Sequence, residues 1–279
     1  MIRSVTLLLA VALTHSAAAH HTHSAEHEGD ALSHVLESDI RADDRARDKY
    51  RNPGKTLRYF GIKPEMTVGE YGPGGGWYTR VIAPLVSENG TYVAIGADVE
   101  RYHATADEER KARLKAFPET FPGRVTEWTG IDAKKIAAVE IDEASDWAGK
   151  LDAVVTFRGF HGLARKDMTD ETIAHFYSML KPGGIVGVVQ HRADEDAPYE
   201  YTRGHNGYLK QSEVVAMFES EGFELVKDAE FNANPKDTAD HEGGVWSLPP
   251  TLRHGDTDRD RYTAIGESDR MTLVFRKPA

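Results

Sequence analysis

Short apolar runs alternate along this chain with longer stretches in which apolar residues recur at three- and four-residue spacing, the two signatures of strand and helix. Met66–Glu70 reads as a first strand that ends in a cluster of glycines, and Trp77, Tyr78, Val81, Ile82, Leu85 and Val86 then mark a helix. Thr91–Ile95 is the second strand, followed by a charged helical stretch from about Val99 to Phe117. The third strand has two candidates, Val125–Trp128 and Ile136–Ile141, and the second is preferred because it lies closer to the next strand. Leu151–Phe157 is a nearly continuous apolar run, as expected of a central strand covered on both faces. The stripe Ile173, Phe176, Tyr177 and Leu180 predicts a helix that stops at Lys181-Pro182-Gly183-Gly184, and Ile185–Val189 is the fifth strand. Ser212 is read as the cap of a helix carrying Val214, Met217 and Phe218, with Phe223–Phe231 and Met271–Phe275 as the last strands. Ahead of all these, Asp39–Tyr50 reads as a helical lead-in that Pro53 redirects. Such alternation predicts an α/β fold, a mostly parallel sheet doubly wound by helices on both faces.

The ends of the pattern differ from its middle. Arg3 precedes an apolar stretch from Val5 to Leu13, and Ala17-Ala18-Ala19 closes it in the manner of a signal-peptidase site. That apolar stretch is about nine residues, short of the ~20 needed to span a bilayer. Residues 1–19 are therefore expected to be a cleaved secretory signal, leaving a periplasmic or secreted chain with no membrane attachment. Residues 20–38 read as a His-rich disordered tail. There His20, His21, His23 and His27 could bind a transition metal such as copper, zinc or nickel, and the alternative is a solvated tail. Residues 39–279 make one domain. Its segment Asn232 to Arg270 lacks sustained periodicity and is too long for an ordinary connection.

Composition narrows the chemistry. In 279 residues, 45 acids face 34 Lys and Arg, a net charge of −11, which argues against a general grip on nucleic acid or anionic lipid. There is no cysteine, so disulfides, thiolate metal sites and thiol nucleophiles are excluded.

The most informative motif is Glu70-Tyr71-Gly72-Pro73-Gly74-Gly75-Gly76, an acid at a strand end followed by glycines at alternate positions of a turn. Glycine there permits positive φ and close approach of a ligand to the backbone. A dinucleotide fingerprint would need glycine where Trp77 stands. A phosphate loop has its tail at Gly54-Lys55-Thr56, but Lys49 occupies its first glycine position and no apolar strand precedes it. What remains, acid-x-G-x-G-x-G, resembles motif I of the class I S-adenosylmethionine-dependent methyltransferases. Leu151-Asp152-Ala153-Val154-Val155-Thr156-Phe157-Arg158, Leu180-Lys181-Pro182-Gly183-Gly184, Asn232-Ala233-Asn234-Pro235-Lys236-Asp237-Thr238 and Ala264-Ile265-Gly266-Glu267-Ser268-Asp269-Arg270-Met271 are similar to a bacterial group of methyltransferase-like proteins, often exported.

The resemblance implies a seven-stranded sheet whose last strand is antiparallel, S-adenosylmethionine as cofactor, and methyl transfer to a small-molecule acceptor. It implies that the cofactor's methionine portion approaches Gly72, Gly74 and Gly76, with Glu70 shaping the loop and receiving the ammonium group through it. Asp98, two residues later than usual, would hold the ribose, and Asp142 or Asp132 the adenine amino group, according to which third strand is right. The Asn-Pro-Pro-aromatic tetrapeptide of base-modifying relatives is absent, and Phe157-Arg158-Gly159-Phe160-His161 stands in its place. Arg158, His161 and His191, after the fourth and fifth strands, are the candidate catalytic residues, a histidine serving as base if the acceptor carries a proton; His161 can equally be read as closing a strand end. Asn232–Arg270 is expected to fold over the crevice as the acceptor-facing wall. Trp246, Leu248, Pro249, Pro250 and Leu252 would dock it, and Asn234 and Arg253 would bind substrate. The competing expectation is a non-catalytic periplasmic ligand- or metal-binding protein on the same fold.

Overall fold

The structure is a computed structural model and describes residues 31–279. Seven strands form one sheet: β1 (Thr67–Tyr71), β2 (Thr91–Gly96), β3 (Ile136–Glu140), β4 (Leu151–Phe157), β5 (Leu180–His191), β6 (Glu224–Ala229) and β7 (Arg270–Arg276). Their order is β3-β2-β1-β4-β5-β7-β6. The first five strands pair in parallel, and β7 runs antiparallel to both β5 and β6. This is the doubly wound, mostly parallel sheet that the pattern predicted, with the antiparallel last strand that the resemblance implied.

Period-two alternation explains the two layers of core. Val93, Ile95, Val154, Val186 and Val188 face one side, under the helices Thr169–Met179 and Gln211–Ser220. Val68, Ala94, Ala153 and Val155 face the other, under Pro53–Phe60, Thr79–Val86 and Phe117–Thr129. Burial on both faces is why Leu151–Phe157 reads as an unbroken apolar run. Strand order reverses between β1 and β4, so a crevice opens at their carboxyl ends, where sheets of this type bind ligands.

Several expectations change in detail. The preferred third strand is present, and Val125–Trp128 instead lies in the helix Phe117–Thr129, where Phe121 and Val125, four residues apart, are buried on one face. Residues 31–37, expected within the disordered tail, are helical, with Leu32 and Val35 buried in the core. Asp39–Tyr50 is not one helix. It is two tight turns, Asp39–Arg41 and Arg45–Arg47, and the short helix Asp48–Arg51. Arginine side chains fix this arm: Arg41 is fully buried and bonds Asp48 at 2.6 Å, and Arg45 donates to the carbonyls of Glu37 and Ser38. Ser212 does not cap its helix; Lys210 holds the cap position, while the backbone N–H and hydroxyl of Ser212 both bind the Glu195 carboxylate.

The long segment is ordered and includes the turn Gly244–Ser247 and the helix Arg259–Ile265. Buried Asp237 ties it down. Its carboxylate accepts from Tyr208 Oη at 3.0 Å and from the backbone N–H groups of Ala239 and Asp269 at 2.9 and 2.8 Å, and lies 2.9 Å from His241 Nε2. A carboxylate with this many donors is a strong local anchor.

Candidate active site

The glycine loop lies at the carboxyl end of β1, immediately before the helix Thr79–Val86. Gly72 and Gly74 take φ of +63° and +55°, are exposed, and have no side chain near the place a Cβ would occupy. An open, left-handed backbone of this kind admits a ligand against the main chain. Gly76 has a different reason to be glycine. It is buried at φ +75°, and a Cβ there would lie 2.2 Å from the Trp128 ring. Its hydrogen is required by packing against Trp128, a demand separate from any approach of a ligand to its backbone.

Glu70 sits beneath the loop rather than in it. It is 3% exposed, and its Oε2 accepts from Thr79 Oγ1 at 2.8 Å and Tyr92 Oη at 2.6 Å. Burial pushes its carboxyl up to about 7, against the lowering effect of those two bonds. It therefore shapes the loop through the first residue of the following helix. Arg80 fastens the loop from above, donating to the Gly75 carbonyl at 3.0 Å while pairing with Asp44 at 2.6 Å.

At the ends of β2 and β3 the expected acids are placed unevenly. Asp98 is buried and caps the short helix Val99–Tyr102 by accepting from the Arg101 N–H at 3.0 Å, so one carboxylate oxygen is already engaged. Asp142 is exposed in the turn Ile141–Trp147. Asp132 caps a turn before β3, at the strand end away from the crevice, because the strand starts later than the discarded reading required. The acid that β3 brings to the crevice is Glu140, in register with Gly96 and 5% exposed. Burial first, then Asp142 and Glu143, push its carboxyl up to about 7.

On the other side of the reversal, beyond β4 and β5, lies a cavity of about 200 Å³. Arg158, His161 and His191 all line it, as the sequence suggested. Arg158 follows β4 in a left-handed conformation, φ +57°, held by its N–H donating to the Val189 carbonyl at 2.7 Å. A non-glycine residue held there is strained by about 1–2 kcal/mol. His161 and His191 face each other with ring centroids 5.8 Å apart. Burial lowers the His161 pKa to about 4, with Arg165 adding to the effect. The same cause, with His161 and nearby arginines, holds His191 well below its ordinary value. Both rings are thus neutral near pH 7. His191 Nδ1 lies 2.6 Å from Ser268 Oγ, which fixes its ring.

The wall expected of residues 232–270 is present, with Trp246, Pro249 and Pro250 on the cavity and Trp246 stacked edge-on against His161 at 5.8 Å. Its polar candidates are not. Asn234 donates its side-chain amide to the carbonyls of Ile265 and Glu267, so it holds the wall together instead of facing a substrate. Arg253 is exposed, stacks over Trp246 at 4.9 Å and donates to the Gly243 carbonyl at 3.1 Å, outside the cavity.

Sequence reasoning missed what the amino-terminal arm brings to the other half of the cavity. The amino-terminal arm delivers Arg47 and Arg51, and the start of β7 delivers Arg270; all three pair with Glu267. Arg51 also stacks on Trp77, the residue after the glycine loop, at 4.6 Å, so the cavity adjoins that loop. The available signal was compositional: Arg41, Arg45, Arg47 and Arg51 crowd one short stretch of an acidic chain. The candidate metal ligands His20, His21, His23 and His27 lie outside the described residues. Among the described residues no group of three or more His, Asp or Glu could hold a metal ion, and no helix is long and apolar enough to cross a membrane.

No protein-family model matches this chain, and no curated protein does. Solved structures match its fold. A SAM-dependent methyltransferase from Aquifex aeolicus superposes with a TM-score of 0.50 at 15% identity, over 88% of this chain and 98% of that one. The [4+2]-cyclase SpnF superposes with a TM-score of 0.51 at 16% identity, over 87% of this chain and 85% of that one. The fold is thus shared by a methyltransferase and by a cyclase, and the choice of reaction rests on the site.

Proposed function

We propose that this chain binds S-adenosylmethionine on its glycine loop and catalyses methyl transfer to a small acceptor held in the adjoining cavity. The observation that carries the reading is the juxtaposition at the strand-order reversal. An open glycine loop with positive φ at Gly72 and Gly74 ends β1, and a walled cavity with two neutral histidines begins beyond β4. The loop fits the cofactor because the space beside Gly72, Gly74 and Gly75 holds no other side chain. Glu70, beneath it, favours a cationic amino group above it, and Asp98 and Glu140 stand at the neighbouring strand ends where sugar hydroxyls and a base would lie. When bound, the cofactor supplies an electrophilic methyl group on a sulfonium.

The chain's own part is alignment and proton management. Trp246, Pro249 and Pro250 give the acceptor an apolar surface to lie against, and the arm arginines fix one end of it. His161 and His191, both neutral, can take a proton from an acceptor that carries one. The competing reading, a ligand-binding protein without catalysis, draws on Asp98, whose use as a helix cap weakens it as a ribose ligand.

Calorimetric titration of S-adenosylmethionine and S-adenosylhomocysteine into the purified chain tests the proposal. Both are expected to bind, and Gly74→Arg, which fills the loop at an exposed left-handed position, is expected to abolish binding without unfolding the protein. A folded wild-type chain with no affinity for either compound would overturn it.

A further inference from the structure

The cavity beyond β4 holds an unbalanced charge. Arg47, Arg51, Arg158 and Arg270 line it, and Glu267 is the one carboxylate among its lining residues. Four guanidinium groups against one carboxylate leave a surplus of three positive charges, in a chain whose net charge is −11. A surplus of this kind in a partly desolvated place is costly unless something anionic meets it.

The hydrogen bonding shows which donors are left over. Glu267 takes Arg47 by its Nε at 2.6 Å and Arg51 by its Nε at 3.1 Å. Arg47 Nη2 is buried with no partner among the described residues. Arg270 donates to Glu267 and to the Tyr50 carbonyl at 2.9 Å, and its buried Nε likewise has no partner among the described residues. Arg158 has no side-chain hydrogen bond or ion pair to any described residue, although it lines the same space. Burial, then Arg51 and Arg270, lower its pKa well below the ordinary arginine value, as expected of a cation whose neighbours are cations. Its backbone is meanwhile held left-handed, a strained placement that sets an arginine at this one point.

We infer that the cavity is an oxyanion site, in which Arg158 and the terminal nitrogens of Arg47 and Arg51 bind a carboxylate or phosphate group of the acceptor. Calling the occupant the acceptor rests on the proposed function; the binding of the anion does not. Guanidinium forks suit the paired oxygens of both groups. Glu267 acts as a positioning residue that holds two of the forks in place by their Nε atoms and leaves their ends free. The opposite wall, Val245, Trp246, Pro249 and Pro250, is apolar, so the anion is attached to a compact apolar body that lies against it. The same oxyanion chemistry could come from the carboxylate of the cofactor's amino-acid end, and the test separates the two.

Phenylphosphonate, benzoate and the neutral analogue benzamide are titrated into the full chain at constant ionic strength, with intrinsic tryptophan fluorescence and calorimetry as readouts. The anions are expected to bind with a Kd near or below about 1 mM, benzamide at least about tenfold more weakly, and Arg158→Met and Arg47→Met to weaken the anions by about tenfold or more. Arg158→Lys is expected to recover part of the loss, and thermal unfolding midpoints verify that each variant folds. Benzoate is expected to bind equally well at saturating S-adenosylhomocysteine. Arg158→Met is expected to leave the affinities for S-adenosylhomocysteine and for 5′-methylthioadenosine, which lacks the carboxylate, unchanged. Three results would each overturn the inference: benzamide binding as tightly as benzoate, unchanged anion affinity in both methionine variants, or displacement of benzoate by S-adenosylhomocysteine together with a selective loss of that compound in Arg158→Met. Anion binding in a chain that binds no cofactor would sink the methyltransferase reading and leave the oxyanion site standing.

Discussion

The two sides of the crevice are built from the same kind of strand end and carry opposite charge. At the ends of β1, β2 and β3 stand Glu70, Asp98 and Glu140, all buried; beyond β4, β5 and at the start of β7 stand Arg158, Arg47, Arg51 and Arg270 around a single Glu267. The acidic side is made of residues close to one another in the strands and their first turns. The basic side is collected from the amino-terminal arm, the middle and the last strand. A local motif can therefore announce the first side, while the second exists only in the folded chain. Opposed fields over so short a distance suit a ligand pair in which one partner is cationic and the other anionic.

Perturbing packing should separate the glycines of the acidic side most strongly. Gly76→Ala combines a left-handed residue with an overlap on the Trp128 ring, and is expected to lower stability by about 4 kcal/mol in urea unfolding. Gly74→Ala meets no side chain, so its loss should be confined to the strain, about 1–2 kcal/mol. Equal losses at the two positions would remove the distinction between a packed and an open glycine.

The charge contrast predicts opposite pH dependences over nearly the same window. Glu70 titrates at about 7 in the folded chain and at an ordinary carboxylate value when unfolded, so the folded state takes up its proton first and gains stability as pH falls from 7 to about 4.5. His161 titrates at about 4 when folded and near 6.5 when unfolded, so the unfolded state takes up that proton first and stability is lost as pH falls from about 6.5 to 4. In the wild type the two effects oppose each other. Glu70→Gln should gain about 3 kcal/mol at pH 8 and nothing at pH 4. His161→Asn should show the converse, more stable than wild type at pH 4 and little changed at pH 8. Denaturation midpoints measured across this range check both, and parallel curves for the two variants would refute the contrast.

On the basic side, Arg158→Gly removes an unpaired cation and a strained backbone together. It is expected to stabilise the ligand-free chain by about 2 kcal/mol while weakening phenylphosphonate. A destabilised variant would mean that Arg158 serves the fold. Smallest of all, Arg253→Ala should stay within about 0.5 kcal/mol of wild type, since its side chain is exposed and lies outside the cavity.

What could be read in the sequence follows the same division. Period and turn residues located β1, β2, β4 and β7 to within one residue at each end, because strands buried on both faces leave little freedom of register, whereas β5 starts at Leu180, five residues before the expected Ile185, and takes in the Lys181–Gly184 stretch expected to end the preceding helix. The third strand was a choice between two short apolar runs, and only packing of Phe121 with Val125 on a helix face decides it. Residues 39–50 look helical because they are charged and free of turn signals; Arg41 and Arg45 capture carboxylates and carbonyls instead, which bends the arm into turns. At the site, the glycine loop, Arg158, His161, His191 and the Trp246 wall were legible. Asn234 was misread, because a side-chain amide gives no sign of whether it will face a ligand or a carbonyl of its own chain.

One consequence of the shared carboxylate concerns time. Glu267 grips Arg47 and Arg51 across 220 and 216 positions of sequence. In chain order the arm and the glycine loop come first, but the side chains of the arm's Arg47, Arg51 and Asn52 take their hydrogen-bond partners from residues 231, 232 and 267. The cavity must wait for almost the last strand, since Glu267 and Arg270 arrive together just before and within β7. Closing so long a loop is slow compared with local pairing. A chain interrupted before residue 267 would carry its motif and lack its pocket, so the cavity comes into being only once residues 267–270 have met residues 47–51.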